Sequence, residues 1–179
     1  CCPPNIARFV ATIAKYIYFT KDNDIYVNQF ISNKTTINNT NIIMDSMYPH
    51  DFKISLKINC IEKQIIKVRI PEYAKEIIVN GLAFSKEKGY LVFSLNNGES
   101  NIEIEFITSP LLISANPLNV SDANKVCLIN GPIVYCLEEI DNGSDLNSLF
   151  IKDLKNISKE YKKEYGMNIF KVEGYRKLN

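Results

Sequence analysis

A mainly β protein, with one N-terminal helix followed by an antiparallel β-sandwich, is what the sequence predicts. Three observations carry that reading. Apolar residues recur at helical spacing only to about residue 20, and from Ile25 the period drops to two. Short strand-like runs then succeed one another, with turn signals roughly every ten residues, as in a two-sheet sandwich. Of 179 residues, 46% are hydrophobic and 23% charged, the balance of a folded chain rather than a disordered one.

The helix opens the chain. Pro3 and Pro4 suit a first turn, where a backbone N–H has no partner anyway, and Ile6, Phe9, Val10, Ile13, Ala14 and Ile17 build one apolar face. Arg8 and Lys15 fall on the other side, the pattern stops near Thr20, and Lys21-Asp22-Asn23-Asp24 reads as a turn. Strands follow in "IYVNQFI", "TNIIMDSMYP", "FKISLKIN" and "QIIKVRIP", where Ile54, Leu56 and Ile58 alternate with polar neighbours. Asn80-Gly81 is a hairpin signal. "GYLVFSL", "NIEIEFI" and "NKVCLINGPIVYCLEE" continue the series. Ile54, Leu56, Ile58, Val68, Ile70, Leu91, Phe93, Ile102, Ile104 and Phe106 are the expected inward residues. Periodicity leaves the tail, "LKNISKEYKKEYGMNIFKVEGY", open between helix and strand. The expected division is residues 1–22 as opening segment and helix, 23–140 as sandwich, and 141–179 as further strands.

A formal net charge of +1 gives no sign of nucleic acid or an anionic membrane as partner, and no apolar run nears the roughly 18 residues that cross a bilayer. Five cysteines are an odd number, which argues against a small disulfide scaffold. Cys60, Cys127 and Cys136 sit in apolar, strand-like surroundings and read as buried reduced thiols, and His50 reads as a surface loop residue. Sequons such as Asn33-Lys34-Thr35 are expected by chance in a chain so rich in Asn.

Cys1 and Cys2 stand where a helix begins, and exposed N–H groups there favour a thiolate. By chemistry alone they are metal ligands, a nucleophile or both; buried packing and a lipid-bearing N-terminal cysteine are the competing readings.

"CCPPNIARFVATIAKYIY" with "DNDIYVNQFI", then "MYPHDFKI", "VRIPEYA" and "NGPIVYCLEEIDN" in that order, resemble the C-terminal part of glycoside hydrolase family 127, the β-L-arabinofuranosidases. The resemblance implies that the helix is the last of an (α/α)₆ catalytic barrel lying upstream, with β-sandwich domains after it. It implies Cys1 as nucleophile and zinc ligand and Cys2 as a second ligand. A Glu and a third Cys completing the zinc site, and a separate acid/base Glu, are implied upstream. Cys60, Cys127 and Cys136 match no ligand of the family. His50, Phe52 and Glu72-Tyr73 depart from its usual residues. The resemblance also favours strands for "NISKEY" and "MNIFKVEGY". The implied activity is retaining hydrolysis of β-L-arabinofuranosides or related plant glycans by the full-length protein, with these 179 residues inactive alone and zinc absent or weakly held. Away from a barrel, the apolar helix face would promote self-association. The competing reading is a carbohydrate-binding or interaction sandwich with no catalytic parent.

Overall fold

The computed structural model describes residues 2–177. They form two compact units, Cys1–Ile107 and Thr108–Asn179.

The first unit opens with helix α1, Cys2–Thr12. Pro3 and Pro4 remove two of the roughly four N–H groups that a helix start leaves unpaired. Thr12 closes it by donating its hydroxyl to the carbonyls of Arg8 and Phe9 at 2.9 and 3.2 Å. A 3₁₀ turn, Ile13–Tyr16, follows. The helix therefore ends well before Thr20: Ile17 is buried, and Tyr18 and Phe19 pair with Val27 and Tyr26 in a hairpin. Strand pairing there overrides the helical spacing of Ile13, Ala14 and Ile17. No residue of α1 is buried, and Ile6, Phe9 and Val10 are 63, 55 and 63% exposed.

Ten strands make the rest of this unit: β1 (Tyr18–Lys21), β2 (Asp24–Val27), β3 (Asn33–Ile37), β4 (Thr40–Ser46), β5 (Lys53–Cys60), β6 (Gln64–Arg69), β7 (Glu76–Asn80), β8 (Ser85–Glu87), β9 (Tyr90–Leu95) and β10 (Gly98–Ile107). They form two five-stranded sheets, in the orders β1-β2-β6-β9-β8 and β3-β4-β5-β10-β7. Pairing is antiparallel throughout except between β2 and β6, which run parallel with Ile25 opposite Ile66. The chain leaves the first sheet after β2, lays β3 to β5 in the second, and returns to β6.

One cluster fills the space between the sheets. Nine of the ten expected inward residues are buried in it, and Ile70 packs against it half-buried. The alternation is clean because a strand turns successive side chains to opposite faces. Each fully buried Leu, Ile or Phe is worth about 1.5–3 kcal/mol over an exposed one. The polar members are paired. Buried Thr40 on β4 donates to Gln64 Oε1 on β6 at 3.3 Å, and Gln64 Nε2 donates to the Asn23 carbonyl at 2.6 Å. This bridge ties one sheet to the other.

Asn80-Gly81 makes no hairpin. β7 and β8 lie in different sheets, and Gly81, at φ +108°, turns the chain where a Cβ would run into the Asn101 carbonyl oxygen. In this unit the two-residue hairpin loops are Asp22-Asn23, Asn38-Asn39 and Lys88-Gly89, all with positive φ at both residues, as the twist of the flanking strands favours. β3, a polar edge strand, has no apolar alternation to announce it.

In the second unit, β11 (Leu111–Ser114), β12 (Val126–Asn130) and β13 (Ile133–Tyr135) form an antiparallel sheet of their own. The boundary between the compact units falls at Ile107/Thr108, inside the stretch expected as sandwich, and β11 to β13 pair in a sheet apart from the two larger ones. After a single helical turn, α2 (Glu139–Asn142), come β14 (Leu149–Ile151), β15 (Ser158–Lys162), β16 (Met167–Lys171) and β17 (Gly174–Arg176). β15 pairs with β16 and β14 with β17, so the tail is strand, as the resemblance implied. Tyr135 meets Phe170 edge-on at 4.8 Å, and Phe150 stacks on Tyr175 at 5.4 Å. Arg176 gathers the loop before β14 by donating to the carbonyls of Asn142, Ser144 and Asp145 and to Ser148 Oγ.

Candidate functional site

Two places collect the residues singled out by the sequence. The first is the start of α1. Cys2 occupies its first position and is exposed. Cys1 lies outside the described residues. A zinc site takes three or four protein donors. Among the described residues no group of three or more His, Cys, Asp or Glu side chains is placed to hold an ion. Residues 2–177 thus do not themselves fit a zinc site.

The second place is one end of the sandwich, where three quoted motifs converge. Asn28 and Phe30 come from "DNDIYVNQFI", Tyr48 and Phe52 from "MYPHDF", and Arg69 and Tyr73 from "VRIPEYA". Phe30 is buried against Tyr48 and Phe106, with ring centroids at 5.3 and 5.6 Å. The Arg69 guanidinium lies 5.5 Å from the Phe30 ring centroid while its Nε donates to the Asn28 carbonyl at 2.8 Å. Tyr90 donates its hydroxyl to Asn28 Oδ1 at 2.9 Å. Tyr48 and Tyr73 share a hydrogen bond between their hydroxyls, and Phe52 packs near both rings. Burial, then the bond to Tyr48, push the Tyr73 phenol far above its usual range, with Arg69 opposing weakly. The Tyr73 phenol stays neutral. The arrangement locks the sandwich end.

The remaining cysteines separate by environment. Cys60 is buried, and burial raises its thiol pKa, as expected of an inert core thiol. Cys127 is only half-buried and Cys136 is exposed, against the expectation that both are core. Cys127 faces the surface of a single three-stranded sheet, and Cys136 lies just past the end of β13. His50 sits in the turn after Met47, partly covered.

A hollow of about 370 Å³ lies on the outer face of the second sheet. The row Asp45, Ser55, Glu103 and Asn80 crosses four strands at its floor. Of the motifs that carry the resemblance, "MYPHDFKI" contributes Met47, Asp51, Lys53 and Ile54 to its lining. The sequence gives no sign of the hollow, because outward polar residues of a strand look alike whether they border a hollow or open solvent.

Comparison with known proteins follows the same division. The model for the middle domain of β-L-arabinofuranosidases of glycoside hydrolase family 127 matches residues 24–106, and that for the family's C-terminal domain matches residues 110–170. The two matches flank the boundary between the compact units. A non-reducing end β-L-arabinofuranosidase of Bifidobacterium longum is 32% identical over 160 residues, 82% of this chain and 24% of that protein. The crystal structure of a family 127 β-L-arabinofuranosidase from Geobacillus stearothermophilus superposes with a TM-score of 0.78 at 28% identity, over 95% of this chain and 29% of that one. A second solved structure, a β-arabinofuranosidase of that family, gives 0.71 at 24% identity over 97% of this chain and 35% of the other, a likeness of fold. The chain thus spans about a quarter to a third of the proteins it matches.

Proposed function

The chain belongs to glycoside hydrolase family 127, and we propose that it supplies the middle and C-terminal β domains of a glycosidase acting on β-L-arabinofuranosides. What supports this reading most is that both domain models match in chain order over the two structural units. That order argues against a free-standing binding module. The exposed face of α1, with Ile6, Phe9 and Val10, is on this reading covered by an upstream catalytic barrel.

In the reaction we assign to the whole protein, the Cys1 thiolate attacks the anomeric carbon. A carbon–sulfur bond forms as the carbon–oxygen bond to the aglycone breaks, and an upstream carboxylic acid protonates the leaving oxygen. The resulting carboxylate then takes a proton from water, which displaces sulfur and returns the thiolate and a sugar of retained configuration. Cys1 and Cys2 would be two of the donors to a zinc ion in the whole protein, which would keep the Cys1 sulfur deprotonated; residues 1–179 alone would bind it weakly and be inactive, since two thiols fall short of about three to four donors.

The test is Cys1→Ser in the full-length protein. Release of an aryl group from its β-L-arabinofuranoside should fall by at least about 10³-fold, the scale of a lost nucleophile, with the far-UV circular dichroism unchanged. Wild-type rates in that variant would remove Cys1 from the chemistry. A wild-type protein with no activity on the arabinofuranoside would overturn the substrate class instead.

A further inference from the structure

The hairpin of β12 and β13 brings two of the chain's thiols to its open end, Cys127 on β12 and Cys136 one residue past β13. Its register pairs Asn130 with Ile133, Ile129 with Val134 and Leu128 with Tyr135. Continued one residue past the end of β13, this register would set Cys136 across from Cys127. In that continued register both would share the face that carries Ile129 and Val134, because alternate residues of a strand share a face. The loop between the strands is two residues, Gly131-Pro132, so the pair that closes it, Asn130 and Ile133, is of the hydrogen-bonded kind. Pairs alternate from there, and Cys127 with Cys136 falls on a non-hydrogen-bonded position. Cα atoms at such positions lie about 4.5 Å apart, inside the roughly 4.4–6.8 Å that a disulfide spans. Cys136 is exposed and Cys127 half-buried, so an oxidant reaches the outer thiol first. Cys60, by contrast, is sealed in the sandwich core.

We propose that Cys127 and Cys136 are a dithiol pair that closes to a cross-strand disulfide when a small-molecule disulfide such as oxidised glutathione is present. The Cys136 thiolate attacks one sulfur of the oxidant, forming a mixed disulfide and expelling one glutathione thiolate. The Cys127 thiolate then attacks the Cys136 sulfur, forming the intrachain bond and expelling the second. Both protein thiols lose their protons and are oxidised, and the oxidant leaves as two reduced thiols. The bond joins neighbouring strands through a short loop, so it adds little loop-closure constraint and stays readily reversible.

The proposal is independent of the glycosidase reading, and its test needs no substrate. The whole protein is incubated with oxidised glutathione, free thiols are alkylated, and the sample is digested with trypsin without reduction. Lys125 and Lys152 bracket both cysteines in one peptide, residues 126–152. That peptide should appear lighter by two hydrogens and unalkylated, and should return to the doubly alkylated form after dithiothreitol. In Cys127→Ser the resolving thiol is gone, and Cys136 should retain glutathione. A wild-type peptide carrying glutathione on Cys136 with Cys127 alkylated, or either cysteine linked to a thiol outside residues 126–152, would overturn the pairing.

Discussion

At Glu160 two ammonium groups converge on one carboxylate. Lys162, two residues along β15, and Lys171, across on β16, each lie 2.7 Å from it. Their hydrogen bonds, that of Lys162 first, bring its pKa down from the ordinary 4.5 to about 2. The sign follows from linkage. A carboxyl with a depressed folded value stabilises fully above 4.5, and that contribution fades as pH falls towards about 2. The β15–β16 hairpin should therefore loosen between those values, and Glu160→Gln should remove this part of its acid sensitivity. A carboxyl carbon titration by NMR reads the midpoint directly, and an ordinary value of 4.5 would contradict the convergence. At this scale little of the site was legible beforehand. Arg69 sits plainly in "VRIP", but nothing in those letters says that it reaches back to Asn28 and covers Phe30. Such contacts join residues far apart in the chain, and only the folded topology brings them together.

The elements were more legible, and unevenly so. Strands with one buried face, such as β5 and β9, show their period in the sequence because burial enforces it. Two kinds of element escape that logic. β3 is an edge strand of mostly polar residues, and the last turns of the opening helix give way to β1 because β2 offers a partner. Asn80-Gly81 is instructive for the opposite reason. The dipeptide does mark a positive φ, but the glycine is required by a close approach of backbone from β10 rather than by a hairpin. A pair of substitutions separates these causes. Gly81 and Gly98 share a φ near +110°, yet only Gly81 has another atom where a Cβ would go. Gly98→Ala should cost about 1–2 kcal/mol in urea unfolding, the strain of a left-handed alanine, and Gly81→Ala clearly more. Equal shifts in the urea midpoint would mean that the Asn101 carbonyl yields without cost.

For the molecule as a whole, the division after Ile107 is the feature the sequence conceals most. "ITSPLLIS" runs on in apolar residues, with no Gly- or Ser-rich linker to mark where one set of sheets ends and another begins. The sandwich also has a history written into its wiring. Local turns let β1 meet β2 and β3 meet β4 at once, and β5 joins β4 after one short loop. The parallel partner of β2 arrives only with β6, after that excursion. Closing such a distant contact costs chain entropy before it brings any gain. The β3–β4–β5 part of the second sheet should accordingly form first in time, with β2 waiting in a frayed hairpin. Ile42→Val, which trims the β4–β5 pairing, should slow refolding; Ile25→Val, facing Ile66, should leave refolding nearly unchanged and hasten unfolding. Chevron plots of the two variants would show it, and a refolding limb slowed more by Ile25→Val would reverse the order. A chain emerging from the ribosome would then carry its first hairpin as an unfinished edge, exposed until β6 is made.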